Sequence, residues 1–129
     1  MPISRLVSIA PDLEAAISAA SPAVRVSVAS FAASWAAGRV GWSQPGGSVS
    51  LATVAEELDD HYLSLQESVG GPDAEVTAAF GRARAASCAA FAAEGNASEA
   101  VYEAIMATGD LPGARDAISS ALSGPSATA

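Results

Sequence analysis

The sequence predicts an all-α fold: a single-domain, alanine-rich bundle of five to six helices whose consecutive members are mostly antiparallel. Three observations predict it. Half of the residues are hydrophobic but only 5% are aromatic. Alanine makes up the difference, and it is the best helix former because its side chain has no rotamer entropy to lose. Apolar residues recur at spacings of three and four along segment after segment, the period of a helix with one buried face. Pro, Gly, Ser, Asp and Asn fall between those segments, where helices start and stop. The 129 residues suit one domain, large enough to hold a core without cross-links.

Pro11-Asp12 opens a short first helix that reaches about Ala20, with Leu13, Ile17 and Ala20 on one side. Ser21-Pro22 is a start signal, an N-cap followed by proline at the first helical position. The second helix runs to Gly38, with Val24, Val28, Phe31 and Trp35 as its buried face. Residues 38–49 are rich in glycine and read as a loop. The third helix starts near Ser50 and ends near Gly70. Its stripe is Leu51, Val54, Ala55, Leu58, Tyr62, Leu65 and Val69. Gly70-Gly71-Pro72-Asp73 makes the next turn. The fourth helix spans about Asp73 to Glu94, with Val76, Phe80, Ser87 and Phe91 in line, and Gly95 stops it. Asn96 and Glu99 have the spacing of a capping box. The fifth helix follows to about Thr108. Asp110 caps the last, which has Pro112 in its first turn and carries Ala114, Ala117, Ile118, Ala121 and Leu122. The domain is therefore 1–122, and the small polar residues of 123–129 read as a flexible tail. Alanine buries little area, so the core is expected to hang on Val28, Phe31, Trp35, Leu58, Tyr62, Leu65, Phe80, Phe91, Tyr102 and Ile105.

Charge excludes some partners. The formal net charge is −8, with six arginines and no lysine. Nucleic acids and anionic membrane surfaces are held by clustered Lys and Arg, and no cluster exists, so neither is expected as a partner. With 16% of residues charged, the negative charge is too dilute for a DNA mimic and reads as a means of solubility. The single cysteine, Cys88, allows no internal disulfide. No signal-peptide pattern opens the chain, and no apolar run approaches the roughly 20 residues of a membrane span. A cytoplasmic location is the expectation. Abundant alanine without lysine points to a GC-rich bacterial genome.

Few residues carry a chemical signature. Glu57, Asp60 and His61 share a flank of the third helix. A carboxylate one turn before a histidine can tune its charge for acid–base work; the competing reading is a solvated acidic flank. Arg84 falls on the Phe80–Phe91 stripe. There a guanidinium either clamps an anion or pairs with Glu57, Asp59, Asp60 or Glu103 in an interhelical salt bridge. Trp42, with Arg39 and Gln44, has the chemistry of a binding hot spot on a loop; otherwise Trp42 plugs the end of the bundle. Cys88 has no partner to make a thiolate and reads as a small core residue. Phosphate-loop, dinucleotide, zinc-protease, calcium-loop and nucleophile-elbow motifs do not occur, and no metal or cofactor is expected.

Two functions are compatible with these residues. The first is a non-catalytic protein-interaction module, such as an acidic inhibitor, an immunity-type protein or an assembly partner. It would dock a helical face, or the Arg39, Trp42 and Gln44 loop, onto a protein partner or a second copy of itself as a homodimer. The second is a small-molecule-binding or enzymatic bundle. Glu57, Asp60 and His61 would do its proton work, Arg84 would hold an anionic group, and Tyr62 and Tyr102 would line the pocket.

Overall fold

In the computed structural model the described residues are 4–45, 50–70 and 73–128, with the backbone alone for 124–128. A 3₁₀ turn, Arg5–Ser8, precedes six α-helices: α1 (Pro11–Ala19), α2 (Pro22–Val40), α3 (Leu51–Val69), α4 (Ala74–Ala93), α5 (Ala97–Thr108) and α6 (Leu111–Thr128). Among the described residues there is no strand, and no helix is long and apolar enough to cross a membrane. The all-α bundle is what the spacing of apolar residues predicts.

The helix starts follow the local chemistry. The hydroxyl of Ser21 accepts from the Val24 amide at 3.2 Å and that of Ser50 from Thr53 at 3.3 Å. Asp73 Oδ1 accepts from the amides of Glu75 and Val76, and Asp110 Oδ1 from Gly113 at 2.9 Å. These are side-chain caps on otherwise orphaned N–H groups. The box at the start of α5 is only half formed. Asn96 accepts from the Glu99 amide, but the Glu99 carboxylate turns away to Arg5.

Helix α2 corrects the sequence reading twice. It continues past Gly38 to Val40 and stops at Gly41, whose φ of +70° suits a residue without Cβ. Arg39 and Val40 are therefore helical. Its buried face is Val28, Ala29, Ala32, Ala33 and Ala36, turned roughly a quarter turn from the Val24–Trp35 line. Phe31, expected in the core, is 39% exposed. The small side chains face the neighbouring helices because they allow the axes to come close, which a row of larger residues would prevent.

Those neighbours are α4 and α5, and α4 is the centre of the molecule. It packs against α2, α3 and α5. Eight of its residues are buried: Val76, Ala79, Gly81, Ala83, Ala85, Ala86, Cys88 and Ala89. They lie all round the helix, which is why no single stripe describes it. All three packings are antiparallel. Toward α5, Cys88 meets Ala100, Arg84 meets Glu103 and Gly81 meets Ala107. Toward α3, Arg84 meets Asp59 and Phe80 meets Tyr62. Toward α2, Gly81 lies against Val40, while Ala89 and Ala33 share a cavity wall. The main core fills the space among α1, α2, α5, α6 and one side of α4, and it includes Leu6 from the 3₁₀ turn. Helix α3 lies on the other side of α4. Among the described residues its main contact is with α4, while Leu51 at its N-terminal end packs against the main core. Only Ala55 of its expected stripe is buried, so Leu58, Tyr62 and Leu65 are half-buried rather than core.

The readings of Gly46-Gly47, Gly71 and Pro72 as turn or helix-start residues lie outside the described residues. Of the residues expected as a tail, 123–128 have helical backbone as the end of α6, and Ala129 lies outside the described residues.

Two of the helical glycines, Gly81 and Gly38, give opposite predictions. A Cβ on Gly81 would stand 3.1 Å from the Ala107 carbonyl oxygen and 3.2 Å from Val40 Cγ1. Gly81→Ala is expected to destabilise by about 1–3 kcal/mol through overpacking. A Cβ on Gly38 meets nothing within 4 Å, so Gly38→Ala should stabilise by roughly 0.5–1 kcal/mol through helix propensity and the loss of unfolded-state freedom. Urea unfolding of both variants checks the pair. A raised midpoint for Gly81→Ala would show that α4 and α5 have slack there.

Candidate functional site

The most unusual polar feature is an ionic network at the junction of the 3₁₀ turn, α3, α4 and α5. Its centre is Glu103, 2% exposed. Arg5 Nη2 donates to Glu103 Oε2 at 2.7 Å. Arg84 Nη1 donates to both Glu103 oxygens, at 3.0 and 3.3 Å. Arg84 Nη2 continues to Asp59 of α3 at 2.5 Å, and Arg5 Nε continues to Glu99 at 2.7 Å. The guanidinium of Arg5 also lies 4.3 Å from the centre of the Tyr102 ring, a favourable cation–π distance. A buried carboxylate needs this degree of compensation, since an unpaired one is very costly. Arg84 Nε is buried with no hydrogen-bond partner among the described residues.

Glu14 forms a second polar knot. Its carboxylate accepts from the hydroxyls of Ser4, Ser18 (2.7 Å) and Ser98 (3.2 Å). Partial burial pushes its pKa up, but the three hydroxyl donors outweigh that and hold the carboxyl below its ordinary value. Glu14 lines a polar hollow of about 640 Å³ with Arg5, Asn96, Ser98 and Glu99.

The predicted site residues are dispersed. Glu57, Asp60 and His61 are exposed on the outer side of α3. None of them hydrogen-bonds Arg84, whose two terminal nitrogens are taken by Asp59 and Glu103. Tyr62 packs edge-on against Phe80, centroids 5.1 Å apart, at the wall of a cavity of about 580 Å³ that also includes Gln66, Asp73 and Thr77. Tyr102 is elsewhere, under Arg5. The loop trio divides as well. Arg39 stacks over Trp35, 4.9 Å from the ring centre, and pairs with Asp110 at 2.9 Å. Trp42 is half-buried against the main core. Gln44 is exposed on the rim of a shallow hollow with Ser34 and Leu51.

Cys88 is fully buried, and its thiol donates to the Ala100 carbonyl at 3.1 Å. Burial, with the Glu103 charge adding to it, pushes its pKa up to about 12, so the thiol stays protonated. Among the described residues no three His, Cys, Asp or Glu side chains gather as metal ligands do.

Arg5, Glu99 and Glu14 carry the polar structure, yet nothing local in the sequence singles out Arg5 or Glu14, and the local signal at Glu99 is for a helix cap. Arg5 meets partners 94 and 98 positions away. The one usable signal was Glu103 on an apolar helix face, facing Arg84 on another.

Comparison with protein-family models, with curated proteins and with solved structures gives no significant match.

Two predictions follow from the geometry of these knots. Glu103→Ala should cost about 3–5 kcal/mol, because Arg84 is left buried with half its compensation. The double variant Arg84→Met/Glu103→Leu should recover part of that loss in a double-mutant cycle. For Glu14 the pKa is lower in the folded state, so its contribution is present above the unfolded value of about 4.3 and is lost as pH falls through the folded value. Glu14→Gln should therefore lose less stability than the parent between about pH 6 and pH 3, measured by urea unfolding. An equal loss in both would remove Glu14 from the acid response.

Proposed function

We propose that the chain is a non-catalytic protein-interaction module that docks a basic protein partner on the outer face of α3. The observation that carries this reading is how α3 sits. It is a 19-residue helix seated mainly on α4, with Leu51 at its N-terminal end against the main core. Leu63 and Val69 are 52% and 44% exposed, and Leu58 and Leu65 are half-buried. Around them stand Glu56, Glu57, Asp59, Asp60 and Glu67, with no Lys or Arg anywhere in the helix. One helix thus holds five of the carboxylates of a chain whose net charge is −8.

That combination favours a partner with apolar side chains flanked by cations. Apolar residues at a rim of like charge form a surface that attracts opposite charge at long range and excludes water at contact. The same charge disfavours a second copy, since pairing α3 with α3 would bring together four carboxylates from each helix that are unpaired among the described residues, Asp59 alone being met by Arg84. An acidic inhibitor of a basic enzyme and an assembly partner both fit this description.

The test is to purify the partner captured from the source organism and to measure association rates with the parent and with variants. Leu63→Ser/Val69→Ser should abolish binding with helicity intact, while Val26→Ser, an exposed position on α2, should bind as the parent does. Raising salt from about 0.05 to 0.5 M should slow association at least about tenfold through screening. Equal binding by the α3 variant, a salt-independent rate, or a dominant α3-mediated homodimer in native mass spectrometry would overturn the reading.

A further inference from the structure

The cavity between α3 and α4 carries the inference furthest. We infer that it is an anchor site for one arginine side chain of the basic partner. This rests on the docking reading above and adds to it the residue that the partner inserts.

Three features of the cavity converge on a flat cation. Its wall holds the Tyr62–Phe80 pair, two rings at an interplanar angle of 62°, and aromatic rings accept guanidinium planes by stacking and cation–π attraction. The neighbouring Arg84, whose Cζ is 5.8 Å from the Phe80 centroid, has its own charge met by Asp59 and Glu103. Next, unused acceptors line the cavity. Asp73 Oδ1 takes both cap bonds, from Glu75 and Val76, and Oδ2 accepts none among the described residues. The Gln66 amide, also in the wall, makes no hydrogen bond among them. Finally, α3 ends here at Gly70, with no basic residue in its last turn. The carbonyl end of α3 carries no basic side chain of its own and favours a cation beside it.

A neutral or anionic side chain would meet the Asp73 carboxylate and the carbonyl end of α3 without compensation. Lysine would satisfy the charge but brings a compact head, whereas the planar fork of arginine can stack on a ring and donate to Asp73 and Gln66 together.

The probe is acetyl-arginine amide, titrated into the ¹⁵N-labelled full chain, with acetyl-citrulline amide as the uncharged analogue of the same shape. The expected result is saturable shifts at the amides of Tyr62, Gln66, Gly70 and Thr77, with the citrulline probe weaker by about tenfold or more. Asp73→Asn should retain the helix cap, since Asn caps as well as Asp, and should weaken the arginine probe by at least about threefold. Unsaturable shifts spread over the acidic surface, equal affinity for the two probes, or an unchanged Asp73→Asn variant would overturn the site. A partner that binds Asp73→Asn as tightly as the parent but is lost with Leu63→Ser/Val69→Ser would remove the arginine anchor and leave the docking reading standing.

Discussion

The architecture depends on how closely other helices can approach α4. Six of its eight buried positions are alanine or glycine, so three antiparallel partners can crowd its surface. Each alanine removes little apolar area from water. The compensation is proximity, because backbones and methyl groups in close contact gain dispersion that larger, looser side chains would not. Gly81 shows the limit, with space for a hydrogen between α4, Val40 and the Ala107 carbonyl but little more. Given that hub, the larger side chains are displaced to the flanks. Trp35, Phe91, Tyr102 and Met106 are partly buried around the core rather than at its centre.

Alanine surfaces pack closely but specify register weakly, since one alanine resembles the next. The ionic network supplies what they lack. Glu103 on α5 can satisfy its carboxylate only where Arg84 of α4 and Arg5 of the 3₁₀ turn converge, and Arg84 reaches Asp59 on α3 from the same place. A slip of one helical turn would leave a buried charge without a partner, at a cost of several kcal/mol. Such a network adds little stability compared with an apolar replacement, yet it distinguishes the native register from its neighbours.

The helices were legible in the sequence because their ends are local chemistry. Ser21-Pro22, Ser50, Asp73, Asn96 and Asp110 mark the starts that the structure shows. Which face each helix buries was less legible. Periodicity weights large residues, so it pointed to Phe31 and the α3 stripe, whereas close packing selected the alanines beside them. The end of α2 was misplaced because Gly38 is tolerated inside a helix and the left-handed Gly41 is what stops it. At the polar sites, facing charges such as Arg84 and Glu103 could be matched as candidates. The contribution of Arg5 could not, because it depends on contacts 94 and 98 positions away. The dispersal of Glu57, Asp60, His61 and Arg84 likewise follows from the rotation of α3 on α4, which no local signal encodes.

The position of the 3₁₀ turn has a consequence for the order of folding. Leu6 joins the core, and Arg5 is held by Glu99 and Glu103. Residues 5–8 pack on α1 as well, but their contacts with α5 cannot form until that helix has been synthesised. Closing so long a loop comes late, after the shorter α3–α4 and α4–α5 hairpins have had the opportunity to form. Arg5 and Leu6 thus complete the fold by binding a helix made long after them.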